Sequence, residues 1–321
     1  MREETGTAQN LIAQLDKIRR QCNEKGFQTR DRYYEATKRF CRFLADEFKS
    51  QKFANTQPKH IRSYVEHLYE NGASGSTVRT ELSGIRFFYE RSGGTNILPD
   101  NHQLGIPSRQ VGECDRAWLP EEIKKACAVA DRTGRTDVKI YIRISLRFGL
   151  RMEEACKMRV EHLERALNNE GLWVKGKGGR GRTVPVETEQ QRKLLVSLYR
   201  YAKQKGLLPG DYLISDNKKR GVEREKASIT SWIDNHRKEF TDPDRTLKVK
   251  PGEKPRSQTI SGHGLRYCYA QDTDRRLTAQ GMDEERILRE VSGRLGHTRP
   301  AITYVYLSRY SPAQLKKRMK A

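Results

Sequence analysis

The sequence has no long apolar run and no paired cysteines. No stretch approaches the roughly 20 consecutive apolar residues of a transmembrane helix, and the first residues, MREETGTAQNLIAQL, contain neither an apolar signal core nor a small-residue cleavage site. The six cysteines, at positions 22, 41, 114, 127, 156 and 268, are scattered and form no CxxC pair. We therefore expect a cytoplasmic protein with reduced cysteines in its core, not a membrane protein, a disulfide-rich secreted protein or a zinc protein.

Acidic residues are the scarcer charge. Lys and Arg outnumber Asp and Glu by 22, and the excess lies mainly in the C-terminal two thirds of the chain. Such a balance favours a polyanionic partner, and nucleic acid is the usual one. A ribosome-like or merely solubilising charge is the weaker alternative, and the motifs decide between the two.

Hydrophobic spacing predicts the domain organisation. Apolar residues recur at helical intervals near 8–23, 30–49, 58–71 and 76–92, with Ser76 as an expected N-cap. From Gly93 to Asp115 the composition is that of a linker. Later helical patterns start near Pro120 and at 137–149, 187–205, 227–240, 263–279, 283–295 and 299–308.

A Gly-rich turn between two β-prone runs, LWVKGKGGRGRTVPV at 172–186, predicts a hairpin, and residues 216–258 read as a long basic loop beside a helix. We predict a mainly α (α+β) fold. It has an all-helical N-terminal domain (1–108), a linker (109–116) and a mostly helical domain with a small antiparallel hairpin (117–321).

Four separated motifs hold the residues with catalytic potential. They are GLRMEEACKM at 149–158, GKG at 176–178, HGLR at 263–266 and RLGHTRPAITYVYL at 294–307. Each motif alone is unremarkable, because an isolated arginine usually lies on the surface and a tyrosine among apolar residues usually lies in the core. GKGGRG also matches the dinucleotide-binding pattern, but it precedes a strand and does not open a helix, which excludes that use.

In this order the motifs resemble the tyrosine recombinase (phage integrase) family, and NGASGSTVRTELSGIRFFYERSG more loosely resembles its helical, SAM-like core-binding domain. The resemblance implies a site-specific DNA recombinase that cleaves and religates DNA through a 3′-phosphotyrosine and a Holliday junction, without metal, ATP or cofactor. The implied partners are double-stranded DNA at specific sites, three further copies in a tetramer on two sites, and an accessory directionality factor. The protein would then associate with the nucleoid when bound to DNA.

The resemblance also implies roles for individual residues. Tyr306 is the nucleophile, His263 its acid/base partner, and Lys177 the general acid for the 5′ oxygen. Arg151 and Arg266 each offer a two-point fork to the scissile phosphate, which suits guanidinium better than ammonium.

Two further residues of the pattern complete the expected site. His297 is implied as a hydrogen-bond donor to the phosphate or the tyrosine, and Glu154 is expected to orient Arg151 or its helix. Tyr267 stands where many members have histidine, which we expect to be tolerated.

Some choices depend on spacing alone. Tyr304 and Tyr306 would lie about 200° apart on a helix, and the nine-residue interval from His297 selects Tyr306 over Tyr304 and Tyr310. Tyr304 is then expected to pack in the core.

The hairpin has a similar ambiguity. Strand alternation puts Lys175 and Lys177 on one face, and only the GKG context favours Lys177. We expect Lys175, Arg180 and Arg182 to contact DNA phosphates or to be exposed turn charges.

The biological role is less determined. We expect a two-domain enzyme that integrates or excises a mobile element, with an Xer-like resolvase of chromosome or plasmid dimers as the alternative. A type IB topoisomerase and a non-catalytic DNA-binding regulator are the other candidates.

Overall fold

The structure is a computed structural model that describes residues 5–22, 24, 26–107, 115–176, 179–215, 221–243, 245 and 260–307. The chain divides into two compact units, Met1–Gln110 and Val111–Ala321. Each unit has its own hydrophobic core. No helix in the described ranges is long and apolar enough to cross a membrane.

The N-terminal unit is a helical bundle. Its helices are α1 (Gly6–Gln21), α2 (Phe27–Phe48), α3 (Pro58–Glu70) and α4 (Gly75–Arg91), with a short 3₁₀ helix at Phe53–Asn55. The predicted helices are confirmed, but the N-cap of α4 is Ser74, whose side chain accepts a hydrogen bond from the Thr77 amide, and not Ser76. Buried aromatic rings fill the core, and Phe40, Phe53 and Phe88 are fully buried.

Part of the segment with linker composition belongs to this core. Ile106 is buried, and Leu98 and Leu104 pack against the buried residues of the four helices. Composition alone cannot show this, because Gly and Pro in the segment describe its backbone and not the few apolar side chains that dock.

The C-terminal unit is mostly helical. Its elements are α5 (Pro120–Arg132), α6 (Thr136–Phe148), α7 (Met152–Cys156), α8 (Val160–Arg165), a π-helical turn (Ala166–Glu170), β1 (Leu172–Lys175), β2 (Gly181–Val184), α9 (Glu189–Gln204), α10 (Val222–Phe240), α11 (Gly264–Ala279), α12 (Glu284–Leu295) and a 3₁₀ helix (Pro300–Tyr306). The two short helices α7 and α8 follow each other too closely for periodicity to reveal them.

Two predictions in this unit need correction. Helix α10 starts at Val222, five residues before the helix that we expected at 227–240, so it takes part of the 216–258 stretch from the expected loop. Residues 216–220, 244 and 246–259 lie outside the described residues. The last segment is a 3₁₀ helix, not an α-helix. Its β-branched residues Ile302, Thr303 and Val305 have low α-helix propensity.

The predicted hairpin is present. Strands β1 and β2 pair antiparallel, with Leu172 opposite Val184, Val174 opposite Arg182 and Lys175 opposite Gly181. Leu172, Val174 and Val184 are buried in the core, so one face of the hairpin is anchored. Lys177, which follows β1 in the sequence, lies outside the described residues.

Candidate functional site

The backbone turn between α6 and α7 sets the position of Arg151. Helix α6 ends at Gly149, whose φ of 61° is in the left-handed region. A Cβ at this position would lie 2.4 Å from a ring atom of Tyr269, so only glycine fits. Two residues later Arg151 is the N-cap of α7.

Glu154 lies at the centre of the arginines. One of its carboxylate oxygens accepts from the Arg151 amide, the other from Arg151 Nη1, and both accept from Arg182, each at 2.8 Å. Arg266 Nη1 lies 3.7 Å away. Burial by itself raises the pKa of this carboxyl. The guanidinium of Arg182, the Arg151 amide and the charge of Arg266 outweigh burial and lower the pKa to about 2. Glu154 is therefore ionised inside the protein.

The two expected phosphate-binding arginines differ in exposure. The side chain of Arg151 is 31% exposed, whereas that of Arg266 is fully buried. Arg266 donates through Nη1 to the Gly149 carbonyl and through Nη2 to the Leu295 carbonyl at 2.8 Å. Burial, with the charge of Arg151, lowers its pKa to about 10. In this structure the fork of Arg266 is therefore buried, with one donor of each Nη on a backbone carbonyl.

Tyr306 and His263 form a hydrogen-bonded pair. The Tyr306 hydroxyl lies 2.8 Å from His263 Nε2, and the tyrosine is 7% exposed. His263 is partly exposed. Burial of the rest of its side chain and the charges of Arg266, Arg116 and Arg151 lower its pKa to about 4. The imidazole is neutral at pH 7, so its Nε2 can accept the phenol proton.

His297 is held by a threonine. Helix α12 ends at Gly296 with φ of 66°, and His297 follows directly. Its Nδ1 lies 2.8 Å from Thr303 Oγ1, and its Nε2 lies 3.4 Å from Arg266 Nη2. Burial and the charges of Arg266 and Arg151 lower the pKa of His297 to about 3. Because a guanidinium can only donate, these partners assign the proton to Nδ1.

The hairpin cations divide into two groups. Lys175 and Arg180 are exposed, as a DNA-contacting residue must be. Arg182 differs from our expectation of an exposed turn charge: its side chain is only 10% exposed and its donors are bonded to Glu154 and to the Arg294 carbonyl. The physical reason is register, since Arg182 lies opposite the buried Val174 and cross-strand partners share a face.

Some residues of the site carry no signal in the sequence that singles them out. Tyr267 stacks on the Tyr306 ring, with 4.4 Å between centroids, although it only stood out as a departure from the family pattern. Thr303 is fully buried behind His297. Tyr304 packs against the hydrophobic core, and Tyr310 lies outside the described residues.

The chain matches two domain families and resembles proteins of known type. Residues 14–97 match the phage integrase N-terminal SAM-like domain, and residues 118–311 match the phage integrase family. It is 24% identical to the tyrosine recombinase XerC of Bacillus pumilus (strain SAFR-032) over 283 residues, covering 85% of this chain and 83% of that protein.

Solved structures share the fold. The Tn1549 transposon integrase in complex with transposon right end DNA is 14% identical, with a TM-score of 0.61 over 96% of this chain and 98% of that one. A lambda integrase tetramer bound to a Holliday junction is 16% identical, with a TM-score of 0.62 over 92% of this chain and 76% of that one. The second match to a domain family spans more than half of the sequence and includes every motif residue described above. This chain belongs to the phage integrase family of tyrosine recombinases.

Proposed function

We propose that this protein recombines double-stranded DNA at specific sites through a covalent bond between Tyr306 and a 3′ phosphate. The observation that carries the proposal is the 2.8 Å contact between the Tyr306 hydroxyl and His263 Nε2. A neutral imidazole at this distance can remove the phenol proton as the oxygen attacks phosphorus.

Cleavage then follows as one balanced displacement. The Tyr306 oxygen forms a bond to the scissile phosphorus, the bond from phosphorus to the 5′ oxygen breaks, and the phenol proton passes to His263. The leaving 5′ oxygen needs a proton, and we assign Lys177 as its donor because its GKG motif matches the family pattern. Religation is the reverse attack of a 5′ hydroxyl, so the phosphotyrosine conserves the bond and no ATP is consumed.

Charge on the scissile phosphate needs cationic and hydrogen-bonding partners. Arg151 is partly exposed beside the Tyr306–His263 pair and can meet a phosphate directly. Arg266 is the second partner, once DNA displaces the contacts that it makes with the Gly149 and Leu295 carbonyls. His297 is the third, through a proton on Nε2, and in that tautomer the Thr303 hydroxyl donates to Nδ1. Glu154 keeps Arg151 at the start of α7.

The assembly is also a proposal. We assign residues 1–108 to DNA core binding, 109–116 to the linker and 117–321 to catalysis, with Lys175 and Arg180 on DNA phosphates. Four copies would act on two sites and exchange strands through a Holliday junction, which the resemblance to the lambda integrase fold supports. We also propose that an accessory directionality factor acts with the protein and that the protein associates with the nucleoid when it is bound to DNA.

For the biological role we favour integration or excision of a mobile element, in line with the fold shared with the Tn1549 integrase. Resolution of chromosome or plasmid dimers is the alternative, and the relation to XerC favours it. Both roles use the same chemistry at Tyr306.

A covalent trapping experiment tests the proposal. The protein is incubated with nicked duplexes that have a randomised central segment; a nick beside the cleavage point lets the short 5′-hydroxyl fragment diffuse away and leaves the adduct trapped. We expect a covalent adduct with the wild-type protein and with Tyr304→Phe, and none with Tyr306→Phe.

Other outcomes would point elsewhere. An adduct with Tyr306→Phe would refute the choice of nucleophile, and no adduct with any sequence would favour a non-catalytic regulator. Relaxation of supercoiled plasmid irrespective of its sequence would favour a topoisomerase.

A further inference from the structure

Arg182 on strand β2 holds two separate parts of the site. Its Nη1 and Nη2 donate to the two carboxylate oxygens of Glu154 at 2.8 Å, and its Nε donates to the Arg294 carbonyl at 2.7 Å. The side chain is 10% exposed. A guanidinium whose donors are committed in this way is poorly placed to bind DNA.

The two partners of Arg182 lie close in the chain to the catalytic candidates Arg151 and His297. Glu154 caps the helix that begins at Arg151. The Arg294 carbonyl belongs to the last turn of α12, two residues before Gly296, which ends the helix and precedes His297. That glycine, Gly296, leaves room for the arginine: a Cβ there would lie 3.0 Å from Arg182 Cδ. Through Arg182, strand β2 is thus hydrogen-bonded both to Glu154 in α7 and to the end of α12.

Arg182 also neutralises the buried carboxylate of Glu154. Glu154 is 2% exposed and has three guanidinium groups around it, from Arg151, Arg182 and Arg266. The two-point bond from Arg182 occupies both carboxylate oxygens. Without it the buried carboxylate would lose its best partner and would attract Arg151 and Arg266 more strongly, away from the phosphate.

We propose that Arg182 is a positioning residue for cleavage: it neutralises Glu154 and bonds the hairpin to the last turn of α12 before His297, so that Arg151, which is partly exposed, remains available for the scissile phosphate. This inference rests on the proposed function. It replaces the expectation of a phosphate contact, which would need Arg182 to be exposed.

The test separates positioning from DNA contact. The variants Arg182→Lys, Arg182→Gln, Glu154→Gln and the Arg182→Gln/Glu154→Gln double variant are assayed on a nicked duplex selected with the wild-type protein. Single-turnover adduct formation is measured at saturating protein, and the dissociation constant is measured from low to high salt. Arg180→Gln, the exposed neighbour in the same hairpin, is the matched contrast.

We expect Arg182→Lys and Arg182→Gln to slow adduct formation by about 100-fold, as a small displacement of reacting groups does. Their affinity for the duplex and its salt dependence should stay close to those of the wild type. The double variant should be no slower than Arg182→Gln, because the carboxylate that Arg182 neutralises is gone. Arg180→Gln should instead weaken binding and reduce the salt slope by about 1.

The inference fails if Arg182→Lys forms the adduct at the wild-type rate. It also fails if either substitution lowers affinity and salt slope as Arg180→Gln does while cleavage at saturation is normal. If tryptophan fluorescence shows that Arg182→Gln is unfolded, Arg182→Lys, which keeps the charge, decides. An absence of adduct with the wild-type protein would refute the proposed function instead, so the two failures are distinguishable.

Discussion

Replacing Glu154 by glutamine should destabilise the C-terminal unit at neutral pH. The surrounding arginines lower the pKa of this carboxyl from 4.5 to about 2, despite its burial. A shift of that size corresponds to about 3 kcal/mol of folding free energy. The side chain is 2% exposed, so solvent screens little of this interaction. We expect Glu154→Gln to lower the free energy of unfolding by about 3 kcal/mol at pH 7.

The pH dependence follows from the direction of the pKa. A carboxyl with a depressed pKa in the folded state stabilises the protein above the pKa of the unfolded chain, and this stabilisation is lost as the pH falls from about 4.5 to about 2. The difference between wild type and Glu154→Gln should therefore be constant from pH 7 to pH 5 and shrink below that.

Urea denaturation followed by tryptophan fluorescence measures this difference. The three tryptophans, Trp118, Trp173 and Trp232, all lie in the C-terminal unit, so the signal reports its unfolding alone. Glu153→Gln is the matched control, because the Glu153 side chain is 33% exposed and pairs with Lys157 on the surface. It should cost less than about 1 kcal/mol. A loss below about 1 kcal/mol for Glu154→Gln at pH 7, or a loss that stays the same down to pH 3, would refute the role of Glu154 as a buried anion.

Three other predictions concern the residues around the nucleophile. Thr303→Val removes the hydrogen-bond partner of His297 Nδ1 and should slow adduct formation by about 10-fold, while Thr303→Ser keeps the rate; equal rates for the two variants would show that this hydrogen bond does not position His297. Tyr267→Ala removes the ring stacked on Tyr306 and should slow adduct formation by about 10-fold, while Tyr267→Phe stays close to wild type; the same rate for both would show that stacking does not position the nucleophile. The pKa of His297 is lowered to about 3, so the unfolded chain takes up a proton that the folded protein excludes, and stability should fall by up to about 1.4 kcal/mol per pH unit as the pH drops below 6.5. Urea denaturation of His297→Gln should show a shallower decline between pH 6.5 and pH 4.5, and an unchanged decline would refute the assignment.

The sequence by itself was sufficient for the features that depend on neighbouring residues. Helix periodicity located α1 to α4, and the Gly-rich turn between two β-prone runs located the hairpin, because the residues that define each element are close together in the sequence. Motif spacing selected Tyr306 over Tyr304, and the structure places Tyr306 against His263. Errors of a few residues, such as Ser76 in place of Ser74 as an N-cap, arose where adjacent residues offer the same local interaction.

Only the tertiary structure decided how the charged residues are used. Arg182 and Arg180 look alike in the sequence, but strand register turns one toward Glu154 and leaves the other exposed. Arg266 reads as a phosphate-binding residue, yet its donors meet carbonyls at Gly149 and Leu295, which are distant in the chain. Local patterns carry no information about such contacts, since burial and hydrogen-bond partners depend on which segments the fold brings together.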